Sequence, residues 1–192
     1  MDKETTANAI HTLKSLIQTQ SFSGEEDKTG DLIEDWLMAN GIIPQRLKNN
    51  IWVSNQHFDE AKPTILMNSH HDTVRPNKGY TNDPYEAKVK DGKLFGLGSN
   101  DAGGSLVALM TAFAHFYDAE DLNYNLLMAA TAEEENSGKN GIKLLLPELP
   151  YIDFAIVGEP TEMQLAIAEK GLIVIDAYAK GIAGHAAHEN TE

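Results

Sequence analysis

Four apolar runs in this chain each lead into residues that can bind a metal ion or move a proton. That repeated pairing restricts the fold more than any other feature of the sequence. Thr64-Ile65-Leu66-Met67 runs on to His70-His71-Asp72, and Lys93-Leu94-Phe95-Gly96 to Asn100-Asp101. Asn125-Leu126-Leu127-Met128 leads to Glu133-Glu134-Glu135, and Phe154-Ala155-Ile156-Val157 to Gly158-Glu159-Pro160. In open α/β sheets, functional groups gather at the carboxyl ends of the strands. One imidazole and several carboxylates at one sheet rim make the ligand set of a hydrolytic metal centre.

The intervening segments fit such a sheet. Ile10, Leu13, Leu16 and Ile17 recur at helical spacing, which predicts a first helix over about residues 3–19. Ser23-Gly24-Glu25-Glu26 has the form of a capping box, opening a second helix that ends near Asn40-Gly41. Ile42-Ile43 and Ile51-Trp52-Val53 read as strands joined by a polar turn, and Asp91-Gly92 as a hairpin turn. Asp101 opens a third helix whose glycines, Gly103 and Gly104, let the backbone pass close to a ligand or a neighbouring strand. A strand over 124–131, a helix over 138–146 and a strand over 153–158 follow. The order β-α-β-α-β predicts an α/β fold, a mostly parallel twisted sheet with helices on both faces. After Glu159 the pattern changes. Residues 165–168 and 172–178 read as two strands, the first hairpin of a second domain that is too short to fold alone. The expected division is 1–163 for the N-terminal part of a metal-binding catalytic domain and 164–192 for the start of a truncated one.

Bulk properties exclude several classes. A net charge of −14 argues against nucleic acid and anionic membranes as partners. The polar start, Met1-Asp2-Lys3-Glu4, is not a secretory signal, and no apolar run approaches the roughly 20 residues of a membrane span. With no cysteine there is neither a disulfide framework nor a thiolate ligand. These features point to the cytoplasm. Only Arg46 and Arg75 are available to clamp a substrate carboxylate.

Residue by residue, His70 is the first metal ligand. Asp72 lies on the same side of an extended chain, placed to fix the tautomer of the imidazole. His71 points the other way and is structural. Asp101 can bridge two metals, though taken alone it reads as a helix N-cap. The Glu133-Glu134-Glu135 run allows one carboxylate to bind metal while its neighbour takes a proton, or else it is a solvated face. Glu159 sits on a rigid Gly-Glu-Pro turn. His185, flanked by glycine after a strand, is a plausible oxyanion donor. His11, His57 and His115 read as surface residues.

Taken in order, several segments resemble one family. They are Ser69-His70-His71-Asp72-Thr73-Val74, Asp83-Pro84-Tyr85, residues 91–96, Gly98-Ser99-Asn100-Asp101-Ala102-Gly103-Gly104, Thr131-Ala132-Glu133-Glu134-Glu135, Gly158-Glu159-Pro160-Thr161 and Gly184-His185-Ala186-Ala187. The set is similar to the dinuclear-zinc aminoacylases, which include acetylornithine deacetylase, succinyl-diaminopimelate desuccinylase and carboxypeptidase G. The acetylornithine deacetylase-like branch, including proteins acting on N-acyl-citrulline, is the nearest, because Ala102-Gly103-Gly104 stands where many relatives carry a lysine.

The resemblance implies a zinc-exopeptidase-like fold and two divalent cations, zinc in the first place, with cobalt or manganese also suited to the ligands. It implies that His70 and Glu159 bind the first metal, that Asp101 bridges and that Glu135 binds the second. Glu134 would be the general base, Asp72 would orient His70, and the Asp101–Ala102 peptide bond would be cis. His185 would reach the site of a partner subunit in a homodimer. In the family a lid and dimerisation domain is inserted after the residue matching Glu159, and the catalytic domain then resumes to supply a last histidine. The sequence ends inside that insert, so a fragment with little turnover is expected. The implied reaction is removal of an acetyl or succinyl group from a small N-acyl amino acid, as in arginine biosynthesis. The alternatives are a di- or tripeptidase of the same superfamily and a non-catalytic metal-binding or interaction module.

Overall fold

Helix α1 (Lys3–Gln18) starts where the Asp2 carboxylate accepts the Thr5 amide at 2.8 Å, a side-chain N-cap. In this computed structural model, residues 2–168, 170, 171, 173, 175 and 177–181 are described. They fall in two units, Met1–Glu162 and Met163–Glu192. In the first, α2 (Asp27–Ala39), β1 (Gln45–Leu47), β2 (Asn50–Ser54) and β3 (Thr64–His70) are followed by β4 (Lys88–Lys90) and β5 (Lys93–Phe95). Then come α3 (Gly103–Phe116), β6 (Asn125–Thr131), α4 (Ile142–Leu145), a 3-10 turn at Leu146–Glu148, and β7 (Phe154–Val157).

Five strands form one sheet in the order β1-β2-β6-β3-β7. β6 pairs parallel with β3, and β3 with β7, while β2 runs antiparallel to both β1 and β6. Four of the five therefore point the same way, so the sheet is mostly parallel. The central strand β6 is buried along its whole length, as expected for a strand covered on both faces. One face packs Ile51, Val53, Met67, Leu126 and Met128 against α1, α2 and α3, with Leu106, Met110 and Phe113 of α3 fully enclosed. The other face, with Trp52, Leu66, Leu127 and Ala129, packs on Leu145, Leu149 and Ile152.

Four sequence expectations are corrected. Ile42-Ile43 is not a strand. Gly41 takes φ +74°, its amide donates to Met38 O, and the Ile42 amide donates to Leu37 O, both at 3.0 Å. Ile42 is thus the buried apolar residue that closes a Schellman motif on α2, and the strand begins only at Gln45. The helix over 138–146 is cut to Ile142–Leu145, because residues 133–141 fold around Glu133 instead. Its carbonyl accepts the Gly138 amide, and its carboxylate accepts both the main-chain and side-chain N–H groups of Asn140. Asp101 does not follow a strand of the main sheet. β4 and β5 form a separate two-stranded hairpin, and Asp101 stands at the entry to α3. Residues 165–168, read as a strand, carry no regular structure, nor do the described residues between 170 and 181. Positions 172, 174 and 176 of the second expected strand lie outside the description.

No helix among the described residues is long and apolar enough to cross a membrane.

Candidate metal centre

The register carries the site to one rim. His70 is the last residue of β3 and lies opposite Thr131, the last of β6. Beyond β7, the Gly158 amide donates to Asn68 O at 2.8 Å and the Ser69 hydroxyl to Gly158 O at 2.7 Å. Glu159 therefore emerges beside His70. Asp101 reaches the same rim from α3. Its peptide bond to Ala102 is cis, and the Gly103 amide donates to Gly98 O at 2.9 Å.

His70 is almost wholly enclosed, with 1% of its side chain exposed. Its Nδ1–H donates to the Asp72 main-chain carbonyl at 3.0 Å, with Asp72 Oδ1 at 3.3 Å. That leaves Nε2 pointing into the rim, where Asp101 Oδ1 lies at 3.1 Å and Glu134 Oε2 and Glu159 Oε2 each at 3.8 Å. Ligand atoms of His70, Asp101 and Glu159 all lie within 4.8 Å of one another.

Three carboxylates aimed at one imidazole nitrogen make an anionic cage. Burial opposes a charged His70, but the hydrogen bonds and charges of Asp72 and Glu159 outweigh it and hold its pKa up at about 11. Burial likewise disfavours the Asp72 anion. Hydrogen bonds from His70, Ser23 and the Glu134 amide win, and its pKa falls below the ordinary value. Glu134 and Glu135 are pushed the other way. Burial raises both, with Glu159, Asp72 and Asp101 adding to the effect on Glu134 against the opposing charge of His70, and Asp101 adding first for Glu135. One imidazole and hard oxygen donors with this excess of negative charge fit a divalent cation of the zinc, cobalt or manganese kind.

The three glutamates divide differently from a simple run. Glu133 takes φ +52° and turns its carboxylate onto Asn140, away from His70. Glu134 and Glu135 are left on the rim, their amides donating to Asp72 Oδ1 at 3.0 Å and Oδ2 at 3.1 Å. His71 is buried: its Nε2–H donates to Asn49 O at 2.7 Å, and the Thr29 hydroxyl sits 2.9 Å from Nδ1. Burial lowers its pKa, so it is a neutral structural histidine. His11, His57 and His115 are exposed. His185 lies outside the described residues. Both arginines already have partners. Arg46 is bonded to Asp31 and Glu34, and Arg75 pairs with Glu25 at 2.6 Å while lying over the Phe22 ring.

Sequence reasoning missed Ser23 and Glu26. The Ser-x-x-Glu pattern that signalled them was assigned to capping, yet no side-chain bond caps α2. Ser23 donates instead to Asp72 Oδ2 at 2.7 Å, and Glu26 reaches the Glu133 amide at 3.2 Å.

The sequence and the fold both have counterparts among known proteins. Residues 66–183 match the model of peptidase family M20/M25/M40, more than half of the sequence. The chain belongs to that family. It is 32% identical to the succinyl-diaminopimelate desuccinylase of Wigglesworthia glossinidia brevipalpis, over 80% of this chain and 43% of that protein. It is 31% identical to the acetylornithine deacetylase of Proteus mirabilis, over 92% of this chain and 48% of that protein. The chain thus spans about half the length of the curated relatives it matches. In fold it is similar to a Bacillus subtilis protein described as a dinuclear metal binding peptidase of the M20 family. The TM-score is 0.62 at 20% identity, covering 81% of this chain and 43% of the other. The M20 chain is therefore a member of a hydrolase family, and it carries a candidate metal site.

Proposed function

We propose that the M20 chain supplies the larger part of the metal-binding half of an amide hydrolase acting on small N-acyl amino acids. The convergence of Asp101, Glu134 and Glu159 on His70 Nε2 carries this reading. Relatives named for desuccinylation and deacetylation support the substrate class.

His70, Asp101 and Glu159 would hold one cation, and Asp101 with Glu135 a second. Such a cation, when bound, supplies Lewis acidity towards a carbonyl oxygen and towards water. The protein does the rest. Asp72 keeps the His70 Nδ1 side protonated, so that Nε2 faces the cation. Glu134, with 54% of its side chain exposed, projects its carboxylate over the same rim. It takes a proton from the attacking water at Oε2 and returns it to the leaving nitrogen. Arg46 is held by both Asp31 and Glu34, whereas the exposed Arg75, paired with Glu25, is the arginine left to meet a substrate carboxylate. In this reading the complete protein is a cytoplasmic homodimer whose residues 164–192 open the lid domain, and His185 serves the partner's site.

The test is a hydrolysis screen with zinc, cobalt and manganese against N-acetylornithine, N-succinyl-diaminopimelate, N-acetylcitrulline and free dipeptides, on the chain and on its longest natural form. Release of the amine from acylated substrates, abolished by Glu134→Gln while cobalt still binds, is the expected result. Turnover confined to free dipeptides would replace the deacylase with a peptidase. Cobalt binding without hydrolysis of any substrate by either form would leave a metal-binding module.

A further inference from the structure

The three-glutamate turn is held from behind by two carboxylates, and only one of them belongs to the metal-site motif. Successive amides of Glu133, Glu134 and Glu135 donate to Glu26 Oε1, Asp72 Oδ1 and Asp72 Oδ2 at 3.2, 3.0 and 3.1 Å. With all three N–H groups committed inward, the Glu134 carboxylate lies 3.8 Å from His70 Nε2, and Glu135 follows it on the same turn. Glu26 has 0% exposure. Besides Glu133 it accepts the Gly24 amide at 2.6 Å and Asn49 Nδ2 at 2.9 Å. Each of these hydrogen-bonding neighbours is a donor, and among the described residues no lysine, arginine or histidine pairs with the carboxylate. An enclosed anion without a cation is costly unless its lone pairs are all used. A glutamine would set an NH2 group against one of these donors. Three donors converging on two oxygens call for a carboxylate, and this one makes no cap to its own helix.

Resting on the metal-centre reading above, we propose that Glu26 is a positioning residue. Through the Glu133 amide and Asn49 it fixes the turn that presents Glu134 and Glu135 to the cation site. It touches neither metal nor substrate. Ser23, donating to the Asp72 oxygen that also receives the Glu135 amide, braces the same turn from the other side.

The experiment compares the full chain with Glu26→Gln and with Glu26→Gln/Asn49→Asp. It reads hydrogen exchange of the Glu133–Glu135 amides against those of β6, together with cobalt affinity by absorption titration. In the single variant, exchange at the turn is expected to rise about tenfold over β6, and cobalt affinity to fall about 10-fold, the usual size for loss of an outer-shell partner. In the double variant the new side-chain amide at position 26 can donate to the new carboxylate at position 49. That carboxylate keeps the oxygen that accepts from Arg46 in the parent, and both readouts should return towards the parent values. Parent-like exchange and affinity in a folded Glu26→Gln would overturn the proposal. So would faster exchange spread evenly over β6 and the turn, since a purely structural role predicts that pattern. Should Glu26→Gln not fold, Glu26→Asp takes its place, with the carboxylate drawn back by one methylene and the same selective loosening expected. Absence of cobalt binding by the parent chain would count against the metal reading alone, because the exchange comparison still decides the role of Glu26.

Discussion

Asp72 shows how much one side chain can organise. Its two oxygens accept the Ser23 hydroxyl and the Glu134 and Glu135 amides, and lie beside His70 Nδ1. Asp72→Asn keeps the volume but places an NH2 group among these donors. Cobalt affinity is expected to fall about 10- to 100-fold, the range for orienting partners of metal-bound histidines. Titration of the folded variant checks this, and unchanged affinity would mean that His70 is oriented by the Asp72 main-chain carbonyl alone. His70→Ala, which removes the convergence point, should abolish cobalt binding at the site formed with Asp101 and Glu159. At this scale the sequence was legible where a residue follows its own strand. His70 and Glu159 could be placed from local pattern because strand ends share a rim. Glu26 could not. Its bond to Glu133 spans 107 positions, and its local spacing matched a capping box that does not form. The spacing of the run could not show why Glu133 stays out of the site: a left-handed turn at that residue directs its carboxylate to Asn140.

At the scale of elements, α3 both builds the core and delivers Asp101. Leu106 is fully enclosed in it, so Leu106→Ala should cost about 2–5 kcal/mol by loss of transfer energy and a residual cavity. A urea titration measures this, and a loss below about 1 kcal/mol would show that the face can collapse around the gap. Gly103 is more specific. Alanine in a helix is ordinarily favoured over glycine by about 0.8–1 kcal/mol. Here a Cβ would stand 2.6 Å from the Gly98 carbonyl oxygen and 2.9 Å from Leu13 Cδ1. Backbone cannot swing aside as a side chain can, so the contact outweighs the propensity. Gly103→Ala is expected to destabilise the fold by about 1–3 kcal/mol, an overpacking cost, and to weaken cobalt binding by displacing Asp101. A melting temperature at or above the parent's would refute this. The glycine-rich entry to α3 was visible in the sequence, and the close neighbour proves to be the carbonyl of the preceding turn. The missing strand at Ile42-Ile43 and the shortened α4 were illegible for a different reason. Their outcome is set by a Schellman closure on α2 and by the grip of Glu133 on Asn140, neither of which shows in hydrophobic periodicity.

For the molecule as a whole, the sheet was readable because β3, β6 and β7 run parallel, and parallel strands deliver their following residues to one rim. The cost of that arrangement is electrostatic. Asp72, Asp101, Glu134 and Glu159 meet around one imidazole in a chain whose net charge is −14. Without a cation, His70 alone among the described residues pairs with them, and its strongly raised pKa expresses that need. A divalent ion that binds this rim and not the unfolded chain therefore stabilises the fold by mass action, by about 2.7 kcal/mol at a hundredfold excess over Kd. For a domain of this size each kcal/mol moves the midpoint by roughly 2–4 °C, which gives an expected rise of about 5–10 °C on adding zinc or cobalt to metal-free protein. Chelation should reverse it. Salt at equal ionic strength should not reproduce it, because screening weakens the repulsion without occupying the cage. The rise should also shrink sharply in His70→Ala and persist in Glu134→Gln. A shift undiminished by His70→Ala would place the stabilising ion elsewhere on the acidic surface and remove the thermodynamic support for a centre at the sheet rim.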